Sequence, residues 1–137
     1  MFFGHRVGGN MTRRQARDHL FRMLFRKEFH KGDELDKQVD FYLESVEDTN
    51  ELKERFNNIV EKLPKIDAIL TEISAGWKLN RMGKVDLTVM RIAIFEIKFD
   101  EEIPNAVAIN EAVEIAKKYG EESSGSFVNG VLAKMLR

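Results

Sequence analysis

The chain has 137 residues, of which 43% are hydrophobic and 33% charged, with a formal net charge of −1. This length predicts one compact domain, and the composition excludes a disordered chain, a collagen and a small disulfide scaffold. The absence of cysteine excludes disulfides, thiolate catalysis and thiolate metal sites. No apolar run approaches the roughly 18 residues that are needed to span a bilayer.

The N-terminal region is basic. We expect residues 1–10 to be a non-native leader, because Met11 follows them directly and they lack the apolar region of a signal peptide. Residues 1–30 carry seven Lys or Arg against two acids, whereas residues 31–63 carry five against ten. A basic arm is typical of a polyanion-binding surface, but a solvated helix start has the same composition. Charge alone leaves both interpretations open.

Apolar residues recur at helical spacing along the chain. Thr12 is placed to cap the first helix, and Pro64 to end the third helix or begin the fourth. Residues 85–99 are apolar nearly all round, which predicts a central buried helix, since a run of this length exceeds a typical strand. Asn110 is a predicted N-cap, and Gly120 is expected to end that helix in a left-handed conformation. The sequence therefore predicts an all-α domain of about seven helices.

Patterns of catalytic and metal-binding residues are weak. The three histidines include no pair at i, i+4, and no glycine loop is placed to cradle a phosphate. The serine-rich run 123–126 is explained by turn and cap chemistry. Glu96 interrupts an apolar stretch and needs a partner, for which Arg91 is the natural candidate. We therefore expect a structural ion pair, and no enzyme, cofactor or metal site.

A cluster of arginines begins the first predicted helix. Arg13, Arg14 and Arg17 occupy positions i, i+1 and i+4, and Phe21 follows on the same flank. Guanidinium groups grip phosphates and aromatic rings stack on unpaired bases, so this array suits single-stranded RNA. A solvated helix start with Phe21 in the core explains the same residues equally well.

Four blocks of the C-terminal half stand in a specific order and spacing. They are WKLNRMGKVDLTVMRIAIFE at residues 77–96, Ile103-Pro104, VAINEAVEIAKKYG at residues 107–120, and Ser124-x-x-Phe-Val-Asn-Gly-Val-Leu132. Together with the N-terminal Arg13-Arg14-Gln15-Ala16-Arg17 and Leu24-Phe25, they resemble the bacterial NusB family over residues 11–137. Residues 33–63 are similar only in their helical pattern.

The resemblance implies an all-helical protein with an N-terminal subdomain at residues 11–63 and a C-terminal subdomain at residues 64–137. It implies a cytoplasmic transcription antitermination factor that takes part in no catalysis. Members of the family bind the boxA element of nascent ribosomal RNA together with NusE, a small-subunit ribosomal protein. The complex then joins the elongating RNA polymerase.

The resemblance also implies which residues form the sites. RNA contact is implied for Arg13, Arg14, Arg17, Tyr119, Ser123, Ser124 and Phe127. Contact with NusE is implied for three residues of the central helix, namely Asp86, Arg91 and Glu96. The sequence departs from common family patterns at Gln15, which replaces an arginine, at Phe25, which replaces a tyrosine, and at Ala106, which replaces a lysine. Each departure is expected to reduce RNA affinity without changing the fold.

Other interpretations stay open at this point. Tyr119 and Phe127 fall on helical stripes and could be plain core residues. The chain could be a helical protein-interaction module without RNA contact. NusB-like domains also precede the cofactor-binding domain of some ribosomal-RNA cytosine methyltransferases, although this chain has no strand–glycine-loop–helix unit for S-adenosylmethionine. A homodimer that buries the arginine face would be autoinhibitory.

Overall fold

The computed structural model describes residues 6–7, 11–47 and 49–136 of the chain. The described residues form six α-helices, namely α1 (Arg13–Phe25), α2 (Gly32–Leu43), α3 (Asn50–Ile73), α4 (Lys84–Phe99), α5 (Asn105–Tyr119) and α6 (Ser124–Leu132). Short 3-10 turns lie at Arg26–Glu28, Leu79–Arg81 and Ala133–Leu136. The all-α class predicted from the sequence is confirmed. No helix among the described residues is long and apolar enough to cross a bilayer.

A short strand pair precedes α1. Strand β1 (Arg6–Val7) runs antiparallel to β2 (Met11–Thr12), with Arg6 opposite Thr12 and Val7 opposite Met11. The sequence pattern does not predict this pair. The rest of the expected leader at residues 1–10 lies outside the described residues.

The chain divides into two compact units, Met1–Val60 and Glu61–Arg137. In the first unit, the buried hydrophobic side chains come from α1, α2 and the start of α3. They are Ala16, Leu20, Phe21, Met23, Leu24, Leu35, Val39, Leu43, Leu52, Phe56 and Ile59. These positions recur every three or four residues, so each helix buries one apolar stripe and turns its opposite face to solvent. Arg17 and Arg55 are charged residues that are buried all the same.

The second unit is built around α4. Every residue from Leu87 to Glu96 in this helix is buried, as the sequence predicted. Helices α5 and α6 pack against α4 and against each other. Because α4 is enclosed on all sides, it has no solvent-exposed face that would favour polar side chains, and it is therefore apolar nearly all round.

Helix α3 continues through Pro64, so the prediction that a helix boundary falls there is wrong. Proline removes one backbone hydrogen bond from a helix interior and crowds the preceding turn. The buried stripe of α3 nevertheless keeps its spacing across this point, through Ile59, Leu63, Ile66 and Leu70. Pro64 itself lies on the exposed face. Continuous burial therefore outweighs the local preference of proline, and two predicted helices are one.

Helix α5 begins earlier than predicted. Its first residue is Asn105, directly after Pro104, so Asn110 lies inside the helix and is not its N-cap. Proline is well suited to a helix start because its fixed φ and missing N–H cost nothing there. Ala108 and Ile109 are already buried, which draws the first turns of the helix onto the core.

We expect Pro64→Ala to raise the free energy of unfolding by roughly 1–2 kcal/mol. Proline is about 3 kcal/mol worse than alanine in a helix interior, and part of this gain is lost because proline also restricts the unfolded chain. Chemical denaturation of the two proteins measures the difference. Lys65→Ala, at the exposed neighbouring position, is the control and should change stability by less than about 0.5 kcal/mol. A less stable Pro64→Ala variant would contradict this account.

Candidate nucleic-acid interface

The first turn of α1 is closed by a capping box. The Thr12 hydroxyl accepts a hydrogen bond from the Gln15 backbone N–H at 3.1 Å, and the Gln15 side-chain oxygen accepts one from the Thr12 N–H at 2.8 Å. The predicted Thr12 cap is thus confirmed. An arginine at position 15 has no acceptor atom and could not complete this box. Gln15 therefore stabilises the start of α1 at the position where the resemblance implies a further arginine.

The predicted arginines begin on this capped turn, but they differ in exposure. Arg14 is exposed, Arg13 is half-buried, and Arg17 is only 4% exposed. The first turn contains no acidic residue. A helix N-terminus carries a partial positive charge, so Arg13 and Arg14 add to a potential that attracts anions. Burial of Arg17 was not expected from the sequence.

His19 adds no positive charge to this basic stretch at neutral pH. Burial lowers the pKa of His19 below its ordinary value of 6.5, because the charged imidazolium loses hydration, and Arg22 lowers it further while Asp18 opposes the shift. His19 Nδ1 shares a hydrogen bond of 2.7 Å with the Tyr42 hydroxyl. The positive charge of α1 is therefore carried by arginines.

A second group of predicted RNA residues lies where α5 ends and α6 begins. The Gly120 N–H donates to the Ala116 carbonyl at 2.8 Å, which closes α5. The Glu121 N–H then donates to Ser124 Oγ at 3.0 Å, and the Ser124 N–H to the Glu121 carbonyl at 3.0 Å. Ser124 is 3% exposed, whereas Ser123 is exposed. The buried Ser124 side chain thus stabilises the turn through its hydrogen bond with the Glu121 N–H.

Gly120 is needed for a different reason from the predicted one. Its φ is −94°, so the expected left-handed conformation is wrong. A Cβ atom at this position would instead lie 2.5 Å from Ser124 Oγ and 2.7 Å from the Ala116 carbonyl oxygen. The constraint is close approach, because the two helices meet too tightly for any side chain at position 120.

Two aromatic rings flank this turn. Tyr119 is half-buried, and the Lys118 ammonium lies 5.0 Å from the centroid of its ring. Phe127 is also half-buried and meets the Trp77 ring edge to face, with centroids 5.6 Å apart. Each ring therefore combines core packing with an accessible part, and Trp77 is a neighbour that the sequence analysis did not select for this site.

The residues predicted to face NusE lie on α4 at different depths. Asp86 is half-buried in the first turn of the helix, while Arg91 and Glu96 are buried. Arg91 Nε and one terminal nitrogen each donate to Asp67 of α3, both at 2.9 Å, in a bidentate ion pair. From the sequence, Glu96 is the expected partner of Arg91. Asp67 gives no sequence signal as a partner, because it lies 24 residues before Arg91 in the chain.

No cluster of three or more metal-ligating side chains occurs within the described part of the chain.

The model for the NusB family matches residues 12–137. Transcription antitermination protein NusB of Lachnoclostridium phytofermentans is 63% identical over 131 residues, with 92% of this chain and 99% of that protein covered. The chain belongs to the NusB family. The protein of the same name from Agathobacter rectalis is 49% identical over 129 residues, with 90% and 98% covered.

Solved structures of NusB-family proteins share the fold. T. maritima NusB superposes with a TM-score of 0.83 at 36% identity, with 93% of this chain and 92% of that chain covered. A chain in a crystal structure of antitermination factors NusB and NusE in complex with dsRNA gives a TM-score of 0.74 at 27% identity, with 90% and 94% covered. The NusB-family fold is therefore shared over nearly the whole chain.

We expect Gly120→Ala to lower the free energy of unfolding by roughly 1–3 kcal/mol, because the new methyl group overpacks the α5–α6 turn. Gly130→Ala is the matched control, since a Cβ at that exposed position of α6 meets nothing within 4 Å. It should gain up to about 1 kcal/mol from helix propensity. Urea denaturation measures both variants, and equal stabilities for the two would contradict the close-approach account.

Proposed function

We propose that this chain is a transcription antitermination factor. It binds boxA-type single-stranded RNA of nascent ribosomal RNA together with NusE and joins the RNA polymerase elongation complex, without a catalytic step of its own. The observation that carries the proposal is the pair Arg13 and Arg14 on the positive end of α1. The names of the similar relatives and the likeness to a chain of the NusB–NusE–dsRNA structure support it.

The direct test is filter binding of a boxA-type RNA oligonucleotide by the isolated chain, with and without NusE. We expect binding in both conditions and tighter binding with NusE, because two weak RNA surfaces in one complex act together. An absence of binding in both conditions would leave a protein-interaction module as the better interpretation.

The three arginines have different roles in this proposal. Arg14 and Arg13 contact phosphates directly, since Arg14 is exposed and Arg13 is half-buried. Arg17 is buried, so it supports the positive potential from beneath the surface. Phosphate contacts position an RNA without reading its sequence, so specificity has to come from groups that touch bases.

We expect Arg14→Ala to weaken RNA binding by a similar factor for all single-stranded sequences. It should also flatten the slope of log affinity against log salt by about 0.7, the value for one contact with single-stranded nucleic acid. Lys37→Ala is the control, because it removes one exposed positive charge from α2. RNA titrations at several salt concentrations measure both slopes. An unchanged slope for Arg14→Ala would remove this arginine from the RNA site.

Bases are read at the α5–α6 turn. We propose that Tyr119 and Phe127 stack on unpaired bases, that the exposed Ser123 hydroxyl contacts RNA, and that Ser124 holds the turn through its bond with the Glu121 N–H. Tyr119 is the stronger stacking candidate, since it ends α5 and its hydroxyl favours a hydrated edge. Phe127 has one side committed to packing against Trp77.

We expect Tyr119→Ala to keep the melting temperature within a few degrees while it lowers affinity for boxA-type RNA about tenfold or more. Tyr119→Phe keeps the stacking ring and is the control, so it should retain most of the affinity. Thermal unfolding and RNA titration on the same samples separate the two roles of the ring. A large fall in melting temperature with unchanged affinity would assign Tyr119 to the core.

NusE contacts the α4 side of the second unit in this proposal. Asp86 offers its carboxylate to NusE, because it is the least buried of the three predicted residues. Its Oδ1 atom is buried and has no hydrogen-bond partner among the described residues, so the accessible part of the residue has to make the contact. Arg91 and Glu96 are buried and act indirectly, with the Arg91–Asp67 ion pair keeping α4 in place against α3.

We expect Asp86→Lys to weaken NusE binding strongly and to leave RNA binding by the isolated chain nearly unchanged. The substitution reverses the charge and also opposes the positive N-terminus of α4. Glu72→Lys makes the same charge change at an exposed position of α3 and is the control. A NusE pull-down with the three proteins measures the effect. Equal recovery by Asp86→Lys and the control would place the NusE surface elsewhere.

A further inference from the structure

The loop between α3 and α4 holds the tryptophan of this chain in an outward position. Trp77 is 57% exposed, although tryptophan usually buries most of its large surface. Ala75 and Gly76 both have positive φ, at 51° and 91°, and a left-handed alanine is rare. The buried Ser74 hydroxyl donates to the Leu70 carbonyl at 2.6 Å and fixes the base of the turn. The backbone is thus held in an uncommon shape that presents Trp77 to solvent.

The surroundings of Trp77 are basic and form a shallow, open depression. Between Ala75 and Val85 the sequence has three positive charges and no acid. Two of the cations, Lys78 and Arg81, are exposed and line an open cavity of about 400 Å³ together with Ala75, Gly76 and Trp77. This volume is at the lower end of the range of about 300–1,000 Å³ for small-ligand sites, which suits one nucleotide.

The cavity adjoins a residue of the proposed RNA surface. The Trp77 and Phe127 rings meet edge to face, with an interplanar angle of 73°. An edge-to-face contact covers at most one face of the indole, and Trp77 is 57% exposed, so part of its ring system is accessible for stacking. A base on Trp77 would therefore lie next to the α5–α6 turn.

We infer that Trp77, Lys78 and Arg81 form an additional nucleotide-binding site, in which an unpaired base of the bound RNA stacks on the indole while the two cations hold the flanking phosphates. The combination of an aromatic face with flanking cations is the arrangement by which proteins bind single-stranded nucleic acid. A polyanion is the occupant that the uniform positive charge favours. The inference rests on the proposed RNA-binding function and extends its surface.

Trp77 is the single tryptophan of the chain, so its fluorescence reports directly on this site. We expect a boxA-type RNA oligonucleotide to quench the emission at saturation and to protect the ring from quenching by iodide. A protein partner such as NusE, added without RNA, should not produce the same change. If NusE changes the emission and RNA does not, the site is a protein contact and the inference is wrong.

Substitutions give a second, independent readout. Trp77→Ala should weaken RNA binding roughly 5- to 100-fold, the range for loss of one stacked base, and Trp77→Phe should restore most of the affinity. Phe41→Ala removes a ring that is 72% exposed in the first unit, and it should leave RNA affinity unchanged. Replacing both Lys78 and Arg81 with Gln should flatten the salt slope by about 1.4, for two phosphate contacts.

The outcomes separate this inference from the proposed function. If Arg14→Ala weakens RNA binding while Trp77→Ala binds as tightly as the wild type, the chain binds RNA and the Trp77 site is wrong. If Trp77→Ala weakens binding but RNA neither quenches nor protects the indole in the wild type, Trp77 acts through Phe127 and the inference also fails. If the chain binds no RNA at all, both proposals fail together.

Discussion

The burial of α4 is the constraint on which the second unit depends. Ten consecutive residues, Leu87–Glu96, have almost no contact with solvent, and they include the charged side chain of Arg91. A buried guanidinium is tolerated only with a partner of matching geometry, which Asp67 provides through two parallel hydrogen bonds of 2.9 Å. The pair fixes α4 against α3. With α4 enclosed, α5 and α6 have to pack on it, and the turn between them follows from that packing.

The helical class could be predicted because the apolar stripes are regular, and α4 because it is apolar all round. Predictions failed where one residue's local preference competed with burial. Pro64 indicates a boundary in isolation, but the stripe from Ile59 to Ile66 continues past it, and a continuous buried face outweighs the loss of one hydrogen bond. Asn110 is a good cap by type, yet burial of Ala108 and Ile109 favours a helix that starts nearly two turns earlier, at Asn105.

The candidate site was less predictable than the fold, because depth below the surface is a tertiary property. Arg17 and Ser124 have polar side chains and give no sequence signal for their burial. Gly120 was selected correctly as an essential glycine but for a backbone conformation that it does not adopt, since the neighbouring Ser124 is visible only in the folded chain. Asp67 was missed for the same reason: its partner Arg91 lies 24 residues further along the chain.

The capping box at Thr12 and Gln15 has a consequence for the entropy of association. Arginine-rich segments often become ordered only when they meet a nucleic acid, and the ordering then subtracts from the affinity. Here the two reciprocal hydrogen bonds between Thr12 and Gln15 order the first turn of α1 without any contribution from a bound anion. Arg13 and Arg14 therefore extend from a helical turn that is already ordered, and the Gln15 side chain contributes to binding through this preorganisation without adding a charge.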